Sequence, residues 1–111
     1  MELSEKSHGR VTVVTARGRL DGNTSGAFGA HLENFTAVSE PRLVVDFAGV
    51  DFVSSAGLRA VLVVLKRVKA ANGRLAFCSV QAPVREVLDI AGFTAMLDLH
   101  PTQAEAVAAL T

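Results

Sequence analysis

A chain of 111 residues has room for one hydrophobic core, and its eleven basic and eleven acidic side chains leave no net charge. One domain over residues 1–111, burying somewhat over 60% of its unfolded surface, is therefore expected to fold without staples. The balanced charge, with no Trp or Tyr and only six Phe, makes the core aliphatic and argues against nucleic-acid binding, which draws on a basic field and aromatic stacking platforms.

In chain order, Met1 to Ser4 reads as a short strand, with no apolar stretch after its charges that would make a secretory signal. A polar turn through Ser7-His8-Gly9 leads to a second strand from Arg10 to Ala16, and two runs so close in sequence form a hairpin. Gly18 to Thr24 is a polar loop ending at a helix with Asn23 or Thr24 as its N-cap. Phe28, Leu32, Phe35 and then Val38 or Ser39 give that helix a buried stripe, and Glu40-Pro41 stops it. Leu43 to Phe47 is β-branched and apolar, suited to a strand covered on both faces, with a turn-prone Ala48-Gly49 after it.

Val50-Asp51-Phe52-Val53-Ser54-Ser55-Ala56-Gly57-Leu58-Arg59 then passes from apolar strand to helix. Leu58, Val61, Leu62, Leu65 and Val68 recur at offsets of three and four, so they face a core, and Asn72-Gly73 supplies residues that tolerate a left-handed stop. The longest apolar run of the chain, Ala60 to Leu65, is far short of the ~20 residues that span a bilayer. Arg74 to Val80 makes the next strand. Cys78 lies within it, a buried thiol with no partner for a disulfide, which fits a reducing cytoplasm. Pro83 occupies the first turn of a third helix, where its missing amide is not needed, and Val84, Val87, Leu88 and Ala91 face inward until Gly92. Met96 to Leu99 reads as a short edge strand. The last helix opens on a capping box of Thr102 with Glu105 and buries Val107 and Leu110. Strands alternating with helices after a hairpin give an α/β sandwich on a mixed sheet.

Ser54 or Ser55 is the N-cap of the second helix, its oxygen accepting an orphan amide for roughly 1 kcal/mol. A hydroxyl in that place can also carry a phosphate, because free amides and the positive end of the helix dipole stabilise an anion there. The two roles are compatible. In an open α/β sheet function collects at the carboxyl ends of strands. Ser55 follows the central strand and Asp21 the second, so one edge can hold both, Asp21 either as a switch-surface residue or as an ordinary loop and capping residue. Arg59, Ala60, Val63, Lys66, Arg67 and Ala70 lie opposite the buried stripe. Val63 interrupts a face that would be charged if it met only water, so Arg59, Ala60 and Val63 either continue a docking surface from Ser55 or include one ordinary exposed valine.

The segment Asp51 to Arg59 resembles the signature of STAS domains, specifically the bacterial anti-sigma factor antagonists. Gly18-Arg19-Leu20-Asp21 is similar to the family's loop after the second strand, and Asn72-Gly73-Arg74-Leu75 to its turn into the fourth, so the resemblance covers nearly the whole chain. It implies a STAS-like sandwich with a mixed sheet of four to five strands and about four helices. By position Ser55 corresponds to the family's phosphorylated serine, with Ser54 as the alternative, since Ser54 stands where many members have aspartate and Ala56 where they often have Ser or Thr. The expected partner surface around Ser55 comprises Asp21, Ser54, Ala56, Gly57, Arg59, Ala60 and Val63. The resemblance further implies an anti-sigma factor partner that is also a serine kinase with a histidine-kinase-like ATPase fold, a metal-dependent serine phosphatase that resets the switch, and a cytoplasmic regulator of transcription. A STAS subunit of a lipid or anion transporter assembly, with constitutive binding, is the alternative within the fold.

An enzyme is not expected. Val53-Ser54-Ser55-Ala56-Gly57 lacks the first glycine of a nucleophile elbow. Nothing places His8, His31 or His100 beside Ser55 as a base. Phosphate-cradling loops and metal-ligand spacings are absent, so no cofactor is expected, and a small ligand-binding domain is the remote alternative.

Overall fold

The computed structural model describes residues 1–111. Its elements are β1 (Glu2–His8), β2 (Val11–Leu20), α1 (Ser25–Thr36), β3 (Arg42–Val53), α2 (Ser55–Ala70), β4 (Arg74–Cys78), α3 (Ala82–Ile90), β5 (Asp98–His100) and α4 (Gln103–Leu110). The strands form one mixed sheet in the order β1-β2-β3-β4-β5. Only the β1–β2 hairpin is antiparallel; β2, β3, β4 and β5 are parallel neighbours, which requires the crossovers that the helices supply.

Alternation along the strands sorts the core into two layers. Val14, Leu43, Val45, Phe47, Leu75 and Phe77 pack with the inner faces of α1, α2 and α3, and the intervening Val11, Val13, Val44, Ala76 and Cys78 pack under Ala106 and Leu110 of α4. Asp46 is a buried carboxylate of the second layer. It accepts the Ala48 amide at 2.8 Å and Gln103 Nε2 at 2.8 Å, the pairing a buried charge requires. The same helix is held at its other end by Arg42 and Arg74, which donate to the carbonyls of Leu110 and Ala109 at 3.0 and 2.8 Å. Burial, and secondarily the charge of Asp46, pushes the Cys78 thiol up to about 11.

Several element bounds differ from the sequence expectation, each for a tertiary reason. β1 continues to His8 and β2 to Leu20, because each finds a partner along that length. β3 passes through Ala48-Gly49 instead of turning there. Its ladder with β2 continues past two register shifts, and Gly49 is needed, since a Cβ there would lie 2.6 Å from Arg17 Cγ. α1 stops at Thr36, before Glu40-Pro41, where the Thr36 hydroxyl competes for the Glu33 carbonyl at 3.3 Å. Val38 and Ser39 consequently lie outside the helix and exposed. On α2 the buried face centres on Val61, Val64, Leu65 and Val68, with Leu58 and Leu62 half-buried. α3 buries Val84 and Leu88 while Ala91 is exposed, and β5 begins at Asp98, leaving Met96 in the preceding loop. Thr102 does cap α4, accepting the Glu105 amide at 3.2 Å, although Ala106 is buried where Val107 was expected. No helix is long and apolar enough to cross a membrane.

Candidate functional site: the carboxyl edge of β2 and β3

Leu20 and Val53 are register partners at the ends of two parallel strands. The Ser54 amide donates to the Leu20 carbonyl at 2.9 Å, which brings the loop after β2 against the start of α2. The approach is close. A Cβ on Gly57 would lie 2.5 Å from the Leu20 oxygen and 2.9 Å from Leu20 Cγ, so glycine lets the helix begin here. Gly57 is itself buried. Sequence reading expects it on a partner surface; its burial instead gives it the role of setting the close approach of α2 to Leu20.

The two serines divide the two roles. Ser54 is the N-cap, with extended backbone (φ −91°, ψ 177°), and its Oγ accepts the Gly57 amide at 3.3 Å. Ser54 is half-buried, whereas Ser55 is the first helical residue and is exposed. The Ser55 hydroxyl is free of the cap and open to solvent beside the unpaired amides of the first turn, where the dipole favours an anion.

Asp21 lies at the same edge and organises its own loop. Its Oδ1 accepts the Asn23 amide at 2.9 Å, and its Oδ2 lies 3.7 Å from Arg19 Nε. Thr24 occupies the cap position of α1 without capping it. Its hydroxyl accepts the Asp21 amide at 2.9 Å and donates to the Arg19 carbonyl at 2.6 Å, which fixes the loop instead. The Arg19 guanidinium is in turn 4.0 Å above the ring of its register partner Phe52. Sequence reading missed this stack because two register shifts in the β2–β3 ladder decide which residues face each other.

Along α2, Ala56 and Ala60 are half-buried while Arg59 and Val63 are exposed. Val63 and Ala60 line a shallow groove of about 310 Å³ against α1, whose side is formed by Gly26, Gly29 and Ala30. Arg67 and Glu33 bridge the two helices at 3.3 Å. The histidines serve elsewhere. His31 Nε2 lies 3.2 Å from Glu5 Oε2 and His100 Nε2 2.9 Å from Asp98 Oδ1, while His8 ends β1.

Known proteins share this architecture. The family model described as the STAS domain matches residues 3–106. The Bordetella bronchiseptica protein BtrV, named as an anti-sigma factor antagonist, is 30% identical over 109 residues, spanning 98% of this chain and 94% of its own. The crystal structure of an anti-sigma factor antagonist from Mycobacterium paratuberculosis superposes with a TM-score of 0.87 at 25% identity, over 98% of this chain and 92% of that one. The Bacillus cell fate determinant SpoIIAA in its phosphorylated form gives a TM-score of 0.74 at 20% identity, over 99% and 100% of the two chains, a likeness of fold.

Proposed function

The chain belongs to the STAS domain family, and from that premise we propose that it is an anti-sigma factor antagonist switched by phosphorylation of Ser55. In its unmodified form it binds an anti-sigma factor and so frees the sigma factor for RNA polymerase. That partner is a serine kinase with a histidine-kinase-like ATPase fold. It transfers the γ-phosphoryl group of ATP to Ser55 Oγ, with ADP and the hydroxyl proton leaving, and a metal-dependent serine phosphatase hydrolyses the ester to restore binding. The chain is the substrate of both enzymes and catalyses neither step.

The observation that carries this reading is the division of labour between the serines: Ser54 holds the helix and Ser55, exposed beside it, is spare. A phosphate on Ser55 adds about −1.5 to −2 charges at a helix N-terminus, where free amides and the dipole favour it by roughly 0.3 to 1 kcal/mol. The fold accommodates it. A partner docked over a hydroxyl does not, since burying an unpaired, strongly hydrated charge costs several kcal/mol. Asp21, Ala56, Arg59, Ala60 and Val63 complete the surface around Ser55.

Incubation with the cognate kinase and ATP, followed by intact mass and peptide mapping, tests the reading. One phosphate on Ser55 is expected, and a phosphate on Ser54 or none at all would overturn it.

A further inference from the structure

Phe52 is the second unusual feature of this edge. Of the six phenylalanines, Phe28, Phe47, Phe77 and Phe93 are buried and Phe35 is half-buried, whereas Phe52 is 38% exposed. Its neighbour Val53 is buried in the core, so alternation turns the ring of Phe52 to the other side of the ribbon. β4 pairs with β3 only as far as Asp46, and the end of β3 that carries Phe52 has β2 alone beside it.

Arg19 covers that ring. Its guanidinium is 4.0 Å above the centroid, its Nε is 3.7 Å from Asp21 Oδ2, and its carbonyl accepts the Thr24 hydroxyl at 2.6 Å. An arginine side chain loses rotamer freedom when a partner immobilises it. The Phe52 ring and the Asp21 carboxylate restrain part of that freedom, and the side chain remains 60% exposed, with guanidinium donors left over for an acceptor from outside. Exposed Arg17 and Arg59 add positive charge near the edge, against exposed Asp51, Asp21 beside Arg19 and Glu2 opposite Arg17.

We infer that the Phe52–Arg19 stack is a second anchor of the docking surface, fitted to a protein partner that brings a carboxylate to Arg19 and an apolar side chain to the edge of Phe52. Aromatic and arginine side chains dominate binding energy at interfaces when they are preorganised and become desolvated. The stack is continuous with the Ser55 site: Phe52 is three residues from Ser55, and Arg19 precedes Leu20, whose carbonyl accepts the Ser54 amide at 2.9 Å. Asp21 then acts through Arg19 as a positioning residue. The inference rests on the anti-sigma factor reading for the identity of the partner.

The test is calorimetric titration of the anti-sigma factor into the wild-type chain, Phe52→Ala, Arg19→Ala, Arg19→Gln, the Phe52→Ala/Arg19→Ala double variant, and Ile90→Ala. Ile90 is an exposed apolar residue at the far end of α3. Phe52→Ala and Arg19→Ala should each weaken binding at least tenfold, with the double variant losing less than the product of the two. Arg19→Gln, which keeps the side-chain stem over the ring, should lose affinity and flatten the salt dependence, and Ile90→Ala should bind as wild type. Wild-type affinity in folded Phe52→Ala and Arg19→Ala would overturn this inference and leave the Ser55 switch standing. Equal losses in Ile90→Ala, or a concentration-dependent dimer of the chain abolished by Phe52→Ala, would also overturn it. A wild-type chain that binds no anti-sigma factor would overturn the functional reading, and the inference with it.

Discussion

Alanine at Ser54 should destabilise the protein more than alanine at Ser55, even though Ser55 is the residue the switch uses. Ser54 Oγ accepts the Gly57 amide at 3.3 Å, and removing such a cap costs about 1 kcal/mol. With an unfolding entropy near 2.1 cal/mol/K per residue, a domain of this length should lose about 4 °C in melting temperature. Ser55 is exposed and caps nothing. Its replacement should stay within about 0.5 kcal/mol, or roughly 2 °C, and can be slightly favourable because alanine is the better helix former. Ser54→Asp, which restores a good capping oxygen, should recover most of the loss. Thermal unfolding followed by circular dichroism reads all three, and intact mass after kinase treatment should show a phosphate on Ser54→Ala and none on Ser55→Ala. A melting-temperature drop of about 4 °C confined to Ser55→Ala would mean that Ser55 is the cap, and the division of roles argued above would be wrong.

Val63→Asp should weaken anti-sigma factor binding at least tenfold, about 1.4 kcal/mol, without a comparable loss of stability; unchanged affinity by calorimetry would make Val63 an ordinary exposed valine. Cys78 should resist thiol reagents at pH 8 while the protein is folded, because its thiol is raised from 9.0 to about 11. The unfolded chain loses that proton first, so the contribution is intact below about pH 9 and is lost as the pH rises toward 11, on the order of 2 kcal/mol. Chemical unfolding at stepped pH should show this decline reduced in Cys78→Ala, and identical slopes would refute it.

Features set by local chemistry were legible in the sequence. Pro83 in the first turn of α3, Thr102 capping α4 and the left-handed Asn72 after α2 all stand where residue type alone placed them. Ser55, Arg59 and Val63 are exposed, as the helical pattern places them. What depended on pairing between distant segments was not legible. The Ala48-Gly49 pair reads as a turn until β2 is known to run beside it, and Gly57 reads as a surface residue until Leu20 is found against it. Ser54 and Ser55 are equivalent caps to a sequence pattern; the extended backbone at Ser54 separates them. The Arg19–Phe52 stack depends on bulges in a parallel ladder, and no periodicity in either strand encodes those.

The central claim is that a phosphate on Ser55 lowers partner affinity by occupying the interface, with the fold unchanged. The most direct measurement compares the unmodified and stoichiometrically phosphorylated chains in affinity for the anti-sigma factor and in their backbone amide spectra. The account predicts a loss of at least a hundredfold, about 2.8 kcal/mol, with amide shifts confined to the Ser55 edge formed by the end of β2, the Asp21 loop and residues 51 to 60. Equal affinity would contradict the switch, and shifts spread across the sheet would contradict the way it is argued to work.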